Sequence, residues 1–168
     1  MTPSERSTIP TTSVTPRRRR NYDDPPNANA LPTLNLIIRN DQREIASVME
    51  RFDDFATRNG MSSEVRAVFD IAFDEMLSNI IYYAYPDADT HAIEIRVDFD
   101  GQRVIAVIDD DGVPFNPFAH PAQNTDRPLA ERDVGGCGIH LVRTMLDDVS
   151  YQRYLDRNII TLVKRVHV

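Results

Sequence analysis

The sequence predicts a two-layer α/β sandwich, an α+β arrangement in which a mixed, mostly antiparallel sheet carries helices on one face. Three observations predict it. Strand-like segments arrive in pairs joined by short turns, which makes neighbouring strands antiparallel. Helical periodicity occupies two successive segments after the first strand and one before the last pair, the order expected of helices packed on one face of such a sheet. At 168 residues and 19.2 kDa, the chain is long enough for one domain with a substantial core and too short for two ordinary domains and a linker.

Residues 1–30 stand apart from the rest. They hold five of the 11 prolines, many Ser and Thr, the run Arg17 to Arg20 and almost no large apolar side chain. Such a segment cannot bury enough surface to offset its ordering entropy, so a disordered Pro- and Arg-rich tail is expected. Residues 31–168 are the expected folded domain. The whole chain carries a net charge of -7. With the tail's five arginines and three acids set aside, 14 basic residues face 23 acidic ones, a net charge of -9 for the folded part. That balance argues against a general nucleic-acid surface and favours small molecules or proteins as partners.

The elements follow in order. Leu34 to Arg39 is a short apolar run and predicts a strand. Asp41 caps a helix whose Ile45, Val48, Met49, Phe52 and Phe55 recur at helical spacing, ending at Asn59-Gly60. Ser62 or Ser63 opens a second helix, apolar over a wide arc from Val65 to Ile81 and closed by Tyr85-Pro86. Ile93, Ile95, Val97 and Phe99 alternate, Asp100-Gly101 turns, and Val104, Ala106 and Ile108 alternate again, which is a β-hairpin. Residues 111–134 contain four prolines and no periodicity, too long for a mere connector and suggestive of a lid. Ile139 to Leu146 is helical. Val149 to Leu155 and Ile159 to Val166 form a last hairpin across Asp156-Arg157-Asn158.

Composition mainly excludes. One cysteine, Cys137, rules out an internal disulfide framework, and four scattered histidines offer no metal-ligand spacing. No apolar run approaches membrane-spanning length and no apolar leader opens the chain, so a cytoplasmic setting without membrane contact is expected. Glycine is scarce, six residues where average usage gives about a dozen. Four of them fall in two short clusters, Gly112 and then Gly135, Gly136 and Gly138.

Three constellations carry possible chemistry. Glu75 and Asn79 lie four residues apart on one face of the second helix. An amide oxygen there suits a hard cation, and a carboxylate can orient or deprotonate a hydroxyl. Asp110 leaves the end of a buried strand into the turn at Gly112, where a carboxylate can accept from an exocyclic amine and a glycine lets a flat ring lie close. Gly135, Gly136 and Gly138 precede a helix start, where backbone amides and the positive helix end can cradle phosphate. Each has a bland alternative: an exposed polar pair, an acidic turn, a glycine at a helix start.

In this order and spacing, Glu75-x-x-x-Asn79, Asp110-x-Gly112-x-Pro114-Phe115-Asn116-Pro117 and Gly136-x-Gly138-Ile139 resemble the Bergerat ATP-binding fold of the GHKL ATPases. Tyr83-Ala84-Tyr85-Pro86 after Asn79, and Gly-Gly-x-Gly-Ile-x-Leu followed by Met145 to Val149, look like the anti-sigma-factor serine/threonine kinases within it. The resemblance covers roughly residues 34–166 and makes 31–168 a histidine kinase-like ATPase domain. It implies that Glu75 activates the attacking hydroxyl, that Asn79 is a Mg2+ ligand and that Asp110 binds the adenine amino group. It also implies that Gly112, Gly135, Gly136, Gly138 and Ile139 belong to the ATP-binding loops, with Arg132 as the nearest candidate for an arginine at the triphosphate. ATP and Mg2+ are the implied cofactors. A small anti-anti-sigma (STAS) protein is the implied substrate, a sigma factor the competing partner, and a homodimer the implied assembly.

Rival readings follow from the same residues. A non-catalytic ATP-binding module that sequesters a partner needs no Glu75. A histidine kinase needs a helical segment carrying an acceptor histidine, for which the tail is unsuited, and a topoisomerase-like ATPase needs a transducer domain, which is not expected here.

Overall fold

A computed structural model describes residues 31–119 and 136–166. The element order is β1 (Thr33–Arg39), a 3-10 turn (Gln42–Glu44), α1 (Ile45–Arg58), α2 (Ser63–Tyr83), β2 (Ala92–Phe99), β3 (Arg103–Asp110), α3 (Gly136–Met145), β4 (Asp148–Tyr154) and β5 (Arg157–Arg165). The five strands form one sheet in the order β1-β2-β3-β5-β4, and all four pairings are antiparallel. The expected order of elements and the two-layer fold are found.

Local chemistry explains the boundaries. The Asp41 carboxylate accepts from the Arg43 amide, so it caps the 3-10 turn that leads into α1 rather than α1 itself. Gly60, at φ +69°, lets the chain leave α1 while the Met61 amide donates back to the Ala56 carbonyl at 2.9 Å. Of the two candidate serines, Ser62 is the cap of α2, accepting from the Val65 amide. α2 stops at Tyr83, two residues earlier than Tyr85-Pro86 suggests, because Ala84 and the residues after it turn back to meet the chain leaving β3. The Ala84 carbonyl accepts from the Val113 amide at 2.8 Å.

The core lies between the helices and one face of the sheet. Phe52 of α1 packs against Phe69 and Phe73 of α2, with ring centroids 5.0 and 5.4 Å away. Beneath them run rows set by the register: Ile95, Ile108 and Ile160 are cross-strand neighbours, as are Val97, Ala106 and Leu162, and all are buried. Fully burying each of the larger of these side chains, the isoleucines, Val97 and Leu162, is worth roughly 1.5–3 kcal/mol. A third row on the same face runs Ile38, Ile93, Asp110, Asn158, Arg153. The two-residue period that hides Val104, Ala106 and Ile108 therefore hides Asp110 as well. The apolar core ends in polar side chains at this edge.

Two further boundaries differ from expectation. The β4–β5 turn is Leu155-Asp156, both at positive φ (47° and 61°), with Tyr154 opposite Arg157. Arg157 and Asn158 belong to β5, because a two-residue turn with both residues left-handed matches the strand twist. α3 begins at Gly136, so Gly136 and Gly138 form its first turn instead of a loop before it. No helix among the described residues is long and apolar enough to cross a membrane.

Candidate functional site

Asp110 ends β3 at 1% exposure. Its Oδ1 accepts from Asn158 Nδ2 at 2.8 Å and from the Gly112 amide at 2.9 Å. Its Oδ2 is buried with no partner among the described residues. Burial pushes the Asp110 pKa up, opposed by the Asn158 and Gly112 hydrogen bonds. A buried acceptor left open at the edge of a core costs free energy unless something donates to it. An exocyclic amine is such a donor, so this residue fits an adenine-type ring.

Asn158, which sequence reasoning passed over, holds this arrangement together. Besides Asp110, its amide nitrogen reaches the Val113 carbonyl at 3.0 Å. Its Oδ1 accepts from the Tyr151 hydroxyl at 2.8 Å and from Arg153 Nη1 at 2.9 Å. Arg153 also donates to the Gly112 carbonyl at 2.7 Å. Strands β4 and β5 thus grip the turn that follows Asp110. The available signal was parity: Asn158 shares its face with Ile160 and Leu162.

Gly112 is needed for close approach. A Cβ there would lie 2.6 Å from both the Ala84 Cβ and the Ala84 carbonyl oxygen. The turn after β3 is pressed onto the end of α2 and tolerates no side chain at this point. Glycine was expected here so that a ring could lie close; what lies close is α2's own end.

Glu75 and Asn79 share one face of α2, as their spacing requires. Asn79 is buried, and its Nδ2 donates to the Glu75 backbone carbonyl at 2.5 Å. The side-chain oxygen of Asn79 is thereby left as the atom able to meet a cation, the hard-donor type that Mg2+ takes. Burial pushes the Glu75 pKa up, the Asp74 charge adds to this, and the Asn79 side chain opposes it. A carboxylate with heightened proton affinity is a better general base. Gly138 packs directly on this group: a Cβ on Gly138 would collide with the carboxyl carbon and both oxygens of Glu75. The first turn of α3 and the Glu75 carboxylate are in contact only because Gly138 has no side chain.

The structure therefore brings Glu75 together with Asn79 and Gly138 where the first turn of α3 meets α2, and Asp110 together with Gly112 where the turn after β3 meets Ala84, the residue just past α2. Gly136 opens α3, and Ile139 packs against the hydrophobic core. Arg132, Gly135 and the expected lid from residue 120 to 134 lie outside the described residues, as do the tail and residues 167–168.

The first part of that expected lid is fastened at several points. The Phe115 amide reaches Asn158 Oδ1 at 3.4 Å, and the Phe115 ring stacks on Tyr83 with centroids 5.3 Å apart. Arg143 of α3 donates to the Phe118 carbonyl at 3.2 Å. The tyrosines at the end of α2 divide: Tyr85 is buried, whereas Tyr82 and Tyr83 are largely exposed and do not cover the core.

Comparison with known proteins agrees with this geometry. The family model described as histidine kinase-like ATPase domain matches residues 38–164. The chain is also 28% identical, over 110 residues, to the serine/threonine-protein kinase BtrW of Bordetella bronchiseptica, an alignment spanning 66% of this chain and 78% of that protein.

Proposed function

The chain belongs to the family of histidine kinase-like ATPase domains, and on that premise we propose that it is a serine/threonine protein kinase of the anti-sigma-factor type. Its substrate in this reading is a serine of a small anti-anti-sigma (STAS) protein, and a sigma factor competes for the same kinase. The observation that carries the nucleotide half is the buried, unpartnered Oδ2 of Asp110, which suits the adenine amino group. The kinase half rests on Glu75, a partly buried carboxylate beside Asn79 and Gly138, and on the likeness to a protein named as a serine/threonine kinase.

The chemistry asked of these residues is modest. A serine hydroxyl oxygen attacks the γ-phosphorus of ATP, the bond to the β–γ bridging oxygen breaks, ADP leaves and Glu75 takes the hydroxyl proton. Phosphoryl transfer needs positioning and charge neutralisation more than covalent participation by the protein. Asn79 would hold Mg2+ through its side-chain oxygen, and the metal supplies charge neutralisation at the phosphates. Gly136 and Gly138 present the first turn of α3, with its free backbone amides, to the phosphates. By family resemblance Gly135 and Arg132, outside the described residues, would contact the phosphates, and Ile139 sets α3 on the core. A homodimer in the cytoplasm completes the proposal by family resemblance.

The test is incubation with Mg-ATP and each STAS protein encoded beside this chain, read by mass spectrometry for phosphoserine. Wild type transfers phosphate, while Glu75→Ala binds ATP nearly as well and transfers none. A wild-type chain that binds ATP and modifies no partner serine overturns the kinase reading and leaves a sequestering module.

A further inference from the structure

A single imidazole ties the loop after α2 to the turn after β3. His91 Nε2 lies 3.0 Å from Asp87 Oδ1, and His91 Nδ1 lies 3.1 Å from Asp111 Oδ1. A neutral imidazole has one N–H and one lone pair, so one of these contacts would set a lone pair against a carboxylate oxygen. Only the imidazolium donates to both. The ring is stacked on Tyr85, with centroids 4.5 Å apart and planes inclined at 24°, a geometry in which positive charge on the ring is favoured. The backbone of His91 is fixed independently. Its amide donates to Asn40 Oδ1 at 2.9 Å, and its carbonyl accepts from the Asn40 amide at 3.1 Å.

Asp111 lies between Asp110, the residue given the adenine amine above, and Gly112. We propose that His91, in its protonated form, is a positioning residue of the nucleotide pocket: it fastens the 110–113 turn from the side opposite Asn158, and ATP binding weakens when its proton leaves. The inference rests on the nucleotide reading of Asp110. Asn158 and Arg153 hold the turn from β5 and β4, whereas His91 holds it from the loop between α2 and β2. Losing the proton leaves one N–H for two carboxylates: the ordinarily favoured Nε2–H tautomer keeps Asp87 and turns the Nδ1 lone pair on Asp111, whose hold on the turn is lost.

The groups around His91 support a retained proton. Asp87 comes from the α2–β2 loop and Asp111 from the end of β3. Tyr85 lies against the ring with its hydroxyl buried and uncharged, its pKa pushed well up by burial and by Asp110. From the bend after β1, Asn40 is uncharged. Among the described residues, Arg157 of β5 is a cation whose field reaches Asp111, and it is engaged by Asp109 at 2.6 Å and Glu94 at 3.3 Å. Asp87 foremost, and Asp111 with it, hold the His91 pKa above its ordinary 6.5 against a smaller opposing effect of burial. For a group raised in the folded state, the stabilisation is complete below the unfolded pKa and is lost as pH rises through the folded one. The clamp is therefore closed in mild acid and opens toward alkaline pH.

The test uses the full chain in two measurements. NMR titration of the histidine Cε1–H signals, with that of His91 identified by its loss in His91→Gln, gives the His91 pKa without nucleotide. Calorimetric titration with Mg-ATP between about pH 6 and pH 8.5 gives affinity for wild type and His91→Gln, the variant subtracting the titration of ATP itself. The expected result is a His91 pKa above 6.5 and a wild-type affinity that falls about fivefold across that titration, with no such step in His91→Gln. A His91 pKa at or below the ordinary value, or identical pH profiles for the two proteins, overturns the clamp while leaving ATP binding intact. A chain that binds no ATP at any pH overturns the nucleotide reading instead, and the pocket role of His91 falls with it.

Discussion

Asn158 donates to Asp110 across adjacent strands at 2.8 Å, and both side chains are 1% exposed. The pair occupies one oxygen of the carboxylate and leaves the other open. A buried carboxylate with a single free acceptor is aimed by its neighbour, and the aim is set by sheet register. Five predictions follow from this relationship and from the packing around it.

Asn158→Ala strips Asp110 of its side-chain partner and also frees the Tyr151 hydroxyl, Arg153 and the Val113 carbonyl. Leaving such buried groups unsatisfied costs about 2–3 kcal/mol. Urea unfolding should show that loss, and calorimetry should show weaker ATP binding although Asn158 is not itself aimed at the ligand.

Gly138→Ala should act on Glu75 rather than on the fold. Alanine in place of glycine within a helix normally gains roughly 1 kcal/mol, but here the new methyl takes the place of the Glu75 carboxyl. That carboxyl is the far end of a flexible, partly exposed side chain and can swing aside, so the variant should melt no lower than wild type while phosphotransfer falls. In a Glu75→Ala background no carboxyl has to move, and the gain from alanine should appear in full. A double-mutant cycle reads this coupling directly.

Glu75→Gln should separate stability from activity. The Glu75 pKa is raised above its ordinary 4.5, by burial first and by Asp74 second, so the folded state disfavours the charged form. That penalty is present above the folded pKa and vanishes below the unfolded one. Thermal melts should find Glu75→Gln more stable than wild type at neutral pH and equal to it in acid below the unfolded pKa. Phosphotransfer should be absent throughout.

The turn at Leu155-Asp156 asks two residues with side chains to adopt left-handed backbone. Leu155 is 77% exposed and repays none of that cost by packing. Asn-Gly is the pair that such a turn prefers, so replacing Leu155-Asp156 by Asn-Gly should stabilise the domain by about 1 kcal/mol, measured by urea unfolding, with ATP affinity unchanged.

The same turn shows where sequence reasoning fell short. Alternation in Ile93 to Phe99 and Val104 to Ile108 located the central hairpin with Asp110 leaving its end, and the structure carries the same period one step further, with Asp110 on the buried face. Leu155-Asp156 carries no glycine or asparagine, so the turn was expected at Asp156-Arg157-Asn158, where polarity is highest. That shift conceals Asn158, the residue that aims Asp110, although Ile160 and Leu162 point to its parity. Helical spacing put Glu75 and Asn79 on one face, but only their order with the Asp110 and Gly136–Gly138 motifs set them apart from an exposed polar pair. The contact of Glu75 with Gly138 was not legible, because it depends on how α3 crosses α2. His91 stood one residue before a strand, and its two carboxylate partners come from positions 87 and 111, a pairing that no local pattern reveals.

In the proposed nucleotide site the unpartnered oxygen of Asp110 receives the adenine amino group. Calorimetric titration of Mg-ATP into wild type and Asp110→Asn tests it most directly, because the amide can turn its nitrogen toward the ligand or toward Asn158 but cannot accept at both places. Wild type should bind tightly, and the variant should lose about 10–100-fold or more in affinity. An Asp110→Asn variant that is folded and binds ATP as wild type does would contradict it.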